Sequence, residues 1–432
     1  MKKIALFIIV LNLAISISAD VFTHAKQIGR GVNLGNCFEA PNEGDWGEIA
    51  EEEYFKIISE KGFNSIRIPI RWSAHIKSDS PFSLDTVFLK RIDWAIENSL
   101  KNGLITIIDI HHYDSININP DGEKSRFLSI WRELAEYYKD YSDSLYFEIL
   151  NEPHDNLTTD KWNTLFNEAL EIIRMNNPTR TVIIGTANWG GVSELYKLEL
   201  PKNDSNIIAT VHYYSPFHFT HQGASWVKGA DEWLGTVWSG SFAEKSRVKE
   251  DADRIKKFGE ENHIPIFIGE FGAFSKADIK SRSLWTQYCA RLFEKSGFSW
   301  AYWEFSSGFG VYDNDSKSWN TPILSALISD DTACLDLNAS VFEKRSGEIK
   351  FGKNIKIVTD KNRIIINSNL DNILKYRVVN IQGKDVFSDI KNTKTDIGKT
   401  VLIEHNLPSG IYLIEIETAK NGIVGRKLML DK

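Results

Sequence analysis

Eight short apolar runs, separated by stretches of helical periodicity, constrain this chain more than any other feature. The runs cover residues 31–34, 65–69, 104–110, 145–150, 181–185, 207–211, 266–269 and 300–303. Between most of them, as at 84–100, 126–138, 162–174, 246–258 and 283–293, apolar residues recur every three to four positions. A strand covered on both faces reads as a continuous apolar run, whereas the helix covering it shows a stripe. Eight such strands in roughly 310 residues predict an α/β chain folded as a (β/α)8 barrel. The rival is an open doubly wound sheet. That fold usually carries GxGxxG after its first strand, and the string here is GVNLGN.

Composition divides the chain. All 13 Trp lie between Trp46 and Trp319, and the last 113 residues have none. Residues 336–432 hold 17 Lys+Arg against 12 Asp+Glu, while the rest hold 34 against 46. We therefore expect a catalytic barrel over 20–334, a linker over 335–350 and a second domain over 351–432. The net charge of −7 argues against a nucleic-acid partner, which calls for a basic face. Three cysteines (Cys37, Cys289, Cys334) are too few for a disulfide scaffold and read as small packing groups. At the start, Lys2 and Lys3 precede an apolar run over 4–17, and Ser18-Ala19 before Asp20 forms a cleavage site. Residues 1–19 thus read as a signal peptide. The mature protein is expected outside the cytoplasm, secreted or at the cell surface, with no transmembrane span.

In a (β/α)8 barrel the reacting groups sit at the carboxyl ends of the strands. Polar residues crowd those positions: Asn36, Arg67, His111-His112, Asn151-Glu152, His212 with Tyr214, Glu270, and Trp303-Glu304. Glu152 follows YFEIL and Glu270 follows IPIFIG, on strands four and seven, which lie nearly opposite in a ring of eight. Glycoside hydrolysis needs such a pair. One carboxylic acid protonates the leaving oxygen, and the other attacks the anomeric carbon or activates water. The two must hold different protonation states at one pH. An ionised Glu270 held by Arg67 would keep Glu152 protonated. The paired His111 and His112 are expected on opposite sides of a strand. No HxH or HExxH ligand pattern is present, and the chemistry requires no metal or cofactor.

The strings RGVNLGN, SIRIPIRW, IIDIHHY, FEILNEPH, VHYYSPF, IGEFGAF and WAYWEFSSGFGVYD occur in this order. Over about 24–330 the chain resembles glycoside hydrolase family 5 of clan A. EAPNEGDWG, NEPHDNLT and FTHQGASW are similar to its subfamily 25 of endoglucanases and mannanases. The resemblance implies a retaining mechanism on β-1,4-glycans, with Glu152 as acid/base and Glu270 as nucleophile, and a carboxyl separation of about 5–5.5 Å. It implies that Asn151 binds the sugar 2-hydroxyl, Arg67 and Tyr214 donate to Glu270, and His212 orients the acid/base. His111 and His112 would reach hydroxyls, and Trp303 would form the floor under the sugar at the reacting position. Asn36 and Glu39 would bind hydroxyls in negative subsites, and His221 and Trp226 would contact substrate. Trp233 and Trp238 are expected to pack beneath their loop. His154 and His218 receive no role. Glucan and mannan differ at one hydroxyl configuration, so either polymer fits. A transglycosylase and a non-catalytic glycan-binding barrel are the other readings. The latter typically loses an acid that this chain keeps.

The C-terminal runs NIKIVT, RIIINS, YRVVN, KDVFS, TVLIEH, GIYLIEIE and RKLML predict seven short strands in a small β-sandwich. VNIQGKDV, LPSGIYLIEIET and RKLML resemble the sorting domains of the type IX secretion system. That resemblance implies a secretion machinery as partner. A carbohydrate-binding module is the alternative.

Overall fold

A computed structural model describes residues 20–336 and seven strands between 355 and 430. The expected signal segment 1–19 and nearly all of the expected linker lie outside the described residues. The chain forms two compact units interleaved in sequence. One comprises Met1–His212, Gly259–Gly269 and Phe298–Ala301, and the other Tyr213–Phe258, Glu270–Gly297 and Tyr302–Lys432.

Eight parallel strands close a barrel in sequence order: β1 (Arg30–Asn33), β2 (Ser65–Ile68), β3 (Ile105–Asp109), β4 (Leu145–Glu148), β5 (Val182–Gly185), β6 (Ile207–Tyr213), β7 (Ile266–Phe271) and β8 (Ser299–Tyr302). Each coincides with one of the apolar runs to within two residues at either end. Asn33 lies beside Arg67 in the β1–β2 register, and Asp109 beside Glu148 in the β3–β4 register. Asn33, Arg67, Asp109 and Glu148 are all wholly buried.

Two of these helices run longer than their apolar stripes, and one matches its stripe to within two residues. The stripe at 84–100 becomes Thr86–Lys101, 126–138 becomes Pro120–Tyr137, and 283–293 becomes Ile279–Ser296. Periodicity marks the buried face, whereas the ends are set by caps. Asp85, Asn119 and Asp278 each accept a first-turn backbone N–H, and Pro120 occupies a first-turn position where no donor is needed. A further helix, Val21–Ile28, is capped by Asp20. Its Val21, Ala25 and Ile28 pack with Ile107, Tyr146, Ile183, Ile208, Phe267 and Ala301 in one buried cluster. This helix contributes to the barrel's own core.

The C-terminal strands form two antiparallel sheets. Ile355–Asp360, Arg363–Ser368 and Thr400–Glu404 make one. The other has the order Asp385–Asp389, Ile373–Asn380, Gly410–Thr418, Gly422–Leu430. Ile364 with Ile366, and Tyr412 with Ile414, are buried at the two-residue spacing that defines one face of a strand. Among the described residues no helix is long and apolar enough to cross a membrane. No disulfide joins Cys37, Cys289 or Cys334; the first two are buried and Cys334 is half-buried.

Candidate active site

In the first unit the site is built on Arg67. Its Nε and Nη2 donate to the two oxygens of Glu148 at 2.7 and 2.8 Å, and Nη1 donates to Asn33 Oδ1 at 2.9 Å. Nη2 also lies 2.7 Å from Asn151 Oδ1 and 2.7 Å from Asp109 Oδ2. Arg67, Asp109 and Glu148 are wholly buried. The sequence reading passed over both of these carboxylates. Burial pushes the Asp109 and Glu148 carboxyls up, and the Arg67 guanidinium opposes that. Two acids inside the apolar runs IIDI and YFEIL were the available signal, because a buried acid requires a buried cation.

Asp109 passes the order outward. Its carboxylate accepts the Ile70 N–H at 3.0 Å and sits 2.7 Å from His111 Nδ1. His111 and His112 do not flank a strand as expected. They lie beyond the end of β3, free of its pleat, with rings edge to face at 4.8 Å. Asn151 offers its carbonyl to Arg67, which turns its amide nitrogen away from the guanidinium. His212 Nδ1 contacts Glu152 Oε1 at 2.6 Å. The strand residue His212 therefore orients the expected acid/base. His154, without a role in sequence, stacks on Trp189 at 3.5 Å, and its Nδ1 meets the Glu152 carbonyl at 2.6 Å.

Asn36 sits in a left-handed turn with φ 64, and its N–H donates to Glu39 Oε1. Glu39 is 0% exposed. Its carboxylate therefore braces the Asn36 turn, beside the residue with which the sequence grouped it.

In the second unit Tyr214 donates to Glu270 Oε2 at 2.9 Å. His221 packs edge-on to Tyr214 at 4.9 Å and face to face with Phe217 at 4.1 Å. Trp226 is 60% exposed and meets Phe274 edge-on. Trp238 is buried, and Trp233 is half-buried against His218, with ring centroids 4.1 Å apart. The Trp303 N–H donates to the Phe271 carbonyl at 2.9 Å. A Cβ on Gly272 would lie 2.2 Å from the Trp303 carbonyl oxygen, so glycine is needed for the chain to pass beneath that residue.

Burial lowers His221 to about 4, against the pull of Glu270, and lowers His112 to about 3, aided by His111 and Arg71. Both rings are therefore neutral in the fold near pH 7. A group that stays neutral in the fold and is protonated when unfolded draws stability away as pH falls from about 6.5 towards about 4. His221→Gln is expected to flatten that fall. A thermal-unfolding series from about pH 7 to about pH 4 checks it, and an unaltered slope contradicts it.

Residues 26–308 match the model for cellulases of glycosyl hydrolase family 5. The chain belongs to this family. Residues 360–431 match a secretion system C-terminal sorting domain. The family 5 chain is similar to endoglucanase H of Acetivibrio thermocellus, 35% identical over 321 residues, covering 73% of this chain and 34% of that protein. It is also similar to cellulase/esterase CelE of the same organism, 28% identical, covering 70% and 39%. It thus spans little more than a third of these two relatives. Thermotoga maritima Cel5A, solved in complex with mannotriose and with cellobiose, is 51% identical with a TM-score of 0.71. It covers 71% of this chain and 100% of its own.

Proposed function

We propose that this family 5 chain is a secreted retaining endo-β-1,4-glycanase that cleaves β-1,4-glucans through a covalent glycosyl-enzyme intermediate. One observation carries the reading. Two carboxylates, Glu152 after β4 and Glu270 near the end of β7, occur at the carboxyl ends of barrel strands, each with its own orienting partner. In the first step Glu152 gives its proton to the glycosidic oxygen while a Glu270 oxygen attacks the anomeric carbon. The C–O bond to the leaving sugar breaks, and an ester to Glu270 forms. In the second step Glu152 takes a proton from water, whose oxygen displaces Glu270 and restores the original configuration. Asn151, its carbonyl held by Arg67, donates to the sugar 2-hydroxyl, a bond that strengthens as the oxocarbenium-like transition state forms. His111, His112, Asn36, His221, Trp226 and Trp303 bind the chain around that centre.

A second reading, cleavage of β-1,4-mannan as well, is favoured by the pair of complexes in which the Cel5A relative holds mannotriose and cellobiose. We read residues 20–334 as the catalytic domain and 335–350 as a linker. The two C-terminal sheets form a small β-sandwich that addresses the protein to a type IX secretion machinery, for release or display at the cell surface.

Product analysis on barley β-glucan and on pure mannan tests the activity. Oligosaccharides from β-glucan alone establish a glucanase, and products from both establish a site that accepts either C2 configuration. Failure on both polymers overturns the proposal.

A further inference from the structure

The loop between β1 and the helix Glu52–Glu60 carries Trp46, which leaves 41% of its surface in solvent. Exposing so much indole on a mobile loop would be unremarkable, but this loop is held at several points. Asn42 donates through both its backbone N–H and its side-chain amide to Asp45 Oδ2, each at 3.0 Å. Gly44 and Gly47 take left-handed φ values of 93 and 90, which close the turns on either side of Trp46. Arg91, on the helix Thr86–Lys101, grips Glu43 with two parallel bonds of 2.8 Å and donates to the Ala50 carbonyl at 2.8 Å. Glu43 in turn accepts the Ala50 N–H at 2.9 Å. The guanidinium is backed by the Trp94 ring at 3.8 Å. Forked Arg–carboxylate pairs fix direction as well as distance. The Trp46 ring then meets His112 edge-on at 5.5 Å. His112 continues through His111 and Asp109 to Arg67 and Asn151.

We infer that Trp46 is a stacking platform for a distal sugar ring of the β-1,4-glycan, beyond the rings held beside the scissile bond, and that Arg91 is a positioning residue that aims it through Glu43. The inference rests on the glycanase reading above. The flat apolar face of an indole suits the C–H face of a pyranose, and a pre-ordered loop spares the cost of arranging that face upon binding.

The readout is the ratio of kcat/KM on β-glucan to kcat/KM on an aryl β-cellobioside too short to reach the platform. Trp46→Ala lowers this ratio about ten-fold, mostly through KM, and Trp46→Phe restores most of it. Arg91→Met lowers the ratio in the parent chain, but by less than about two-fold when Trp46 is already alanine, because the two act as one unit. A ratio unmoved by Trp46→Ala, or an equal loss on both substrates, overturns the platform. Full additivity of the two substitutions overturns the role given to Arg91. A parent chain idle on both substrates overturns the glycanase reading itself.

Discussion

Replacing Glu270 by glutamine is expected to lower kcat on β-glucan by about 100,000-fold, because the ester-forming oxygen is lost while the shape of the site is kept. Glu152→Ala behaves differently, and the difference separates the two roles. With a dinitrophenyl cellobioside the leaving group needs no proton, so the glycosyl-enzyme still forms. Its breakdown lacks a base, so a burst of dinitrophenolate is followed by slow turnover. Azide, which attacks without general-base help, restores turnover and yields a β-glycosyl azide. Azide acting on a Glu270→Ala variant enters from the opposite face and yields the α-anomer. Identical azide products from the two variants, or a Glu270→Gln enzyme that keeps its activity, would sink the assignment.

Arg67→Met is expected to cost about 3–5 kcal/mol of stability at neutral pH, the range for stripping one partner from a buried ion pair. The mechanism is specific to this molecule. Asp109 and Glu148 are wholly buried, and Arg67 meets both, at 2.7 Å from each. Without the guanidinium, the main opposition to burial is lost and both carboxyls rise further. An acid whose folded value lies above its unfolded one weakens the fold as pH rises between the two. The gap between variant and parent should therefore narrow as pH is lowered from about 7 to about 4. Urea unfolding at both pH values measures it, and a gap independent of pH would contradict the account. The same substitution removes the anchor of the Asn151 carbonyl, so kcat is expected to fall as well.

Much of the architecture was legible because it is local. The run 145–150 contains the strand Leu145–Glu148, and the stripe at 126–138 lies on the helix Pro120–Tyr137. Burial on two faces or on one leaves different periods in the sequence. Glu152 and Glu270 were legible for the same reason, since each is a charge set directly against an apolar strand. His212 against Glu152 and Tyr214 against Glu270 were implied by the family resemblance, and the contacts agree with it.

Other features are set by meetings between segments far apart in the chain. Whether Arg67 answers Glu148 and Asp109 depends on the register of β2, β3 and β4, and no spacing within one segment encodes that. The depth of Glu39, the edge contact of His111 with His112 and the grip of Arg91 on Glu43 depend on how loops leave their strands. The chain by itself determined the order of its strands and helices, the ends at which charge gathers and the acids that stand there, because covalent neighbours and hydrophobic period suffice for these. The tertiary structure alone decided which charges neutralise one another and which aromatic ring is left facing water, because burial and pairing belong to the packed whole.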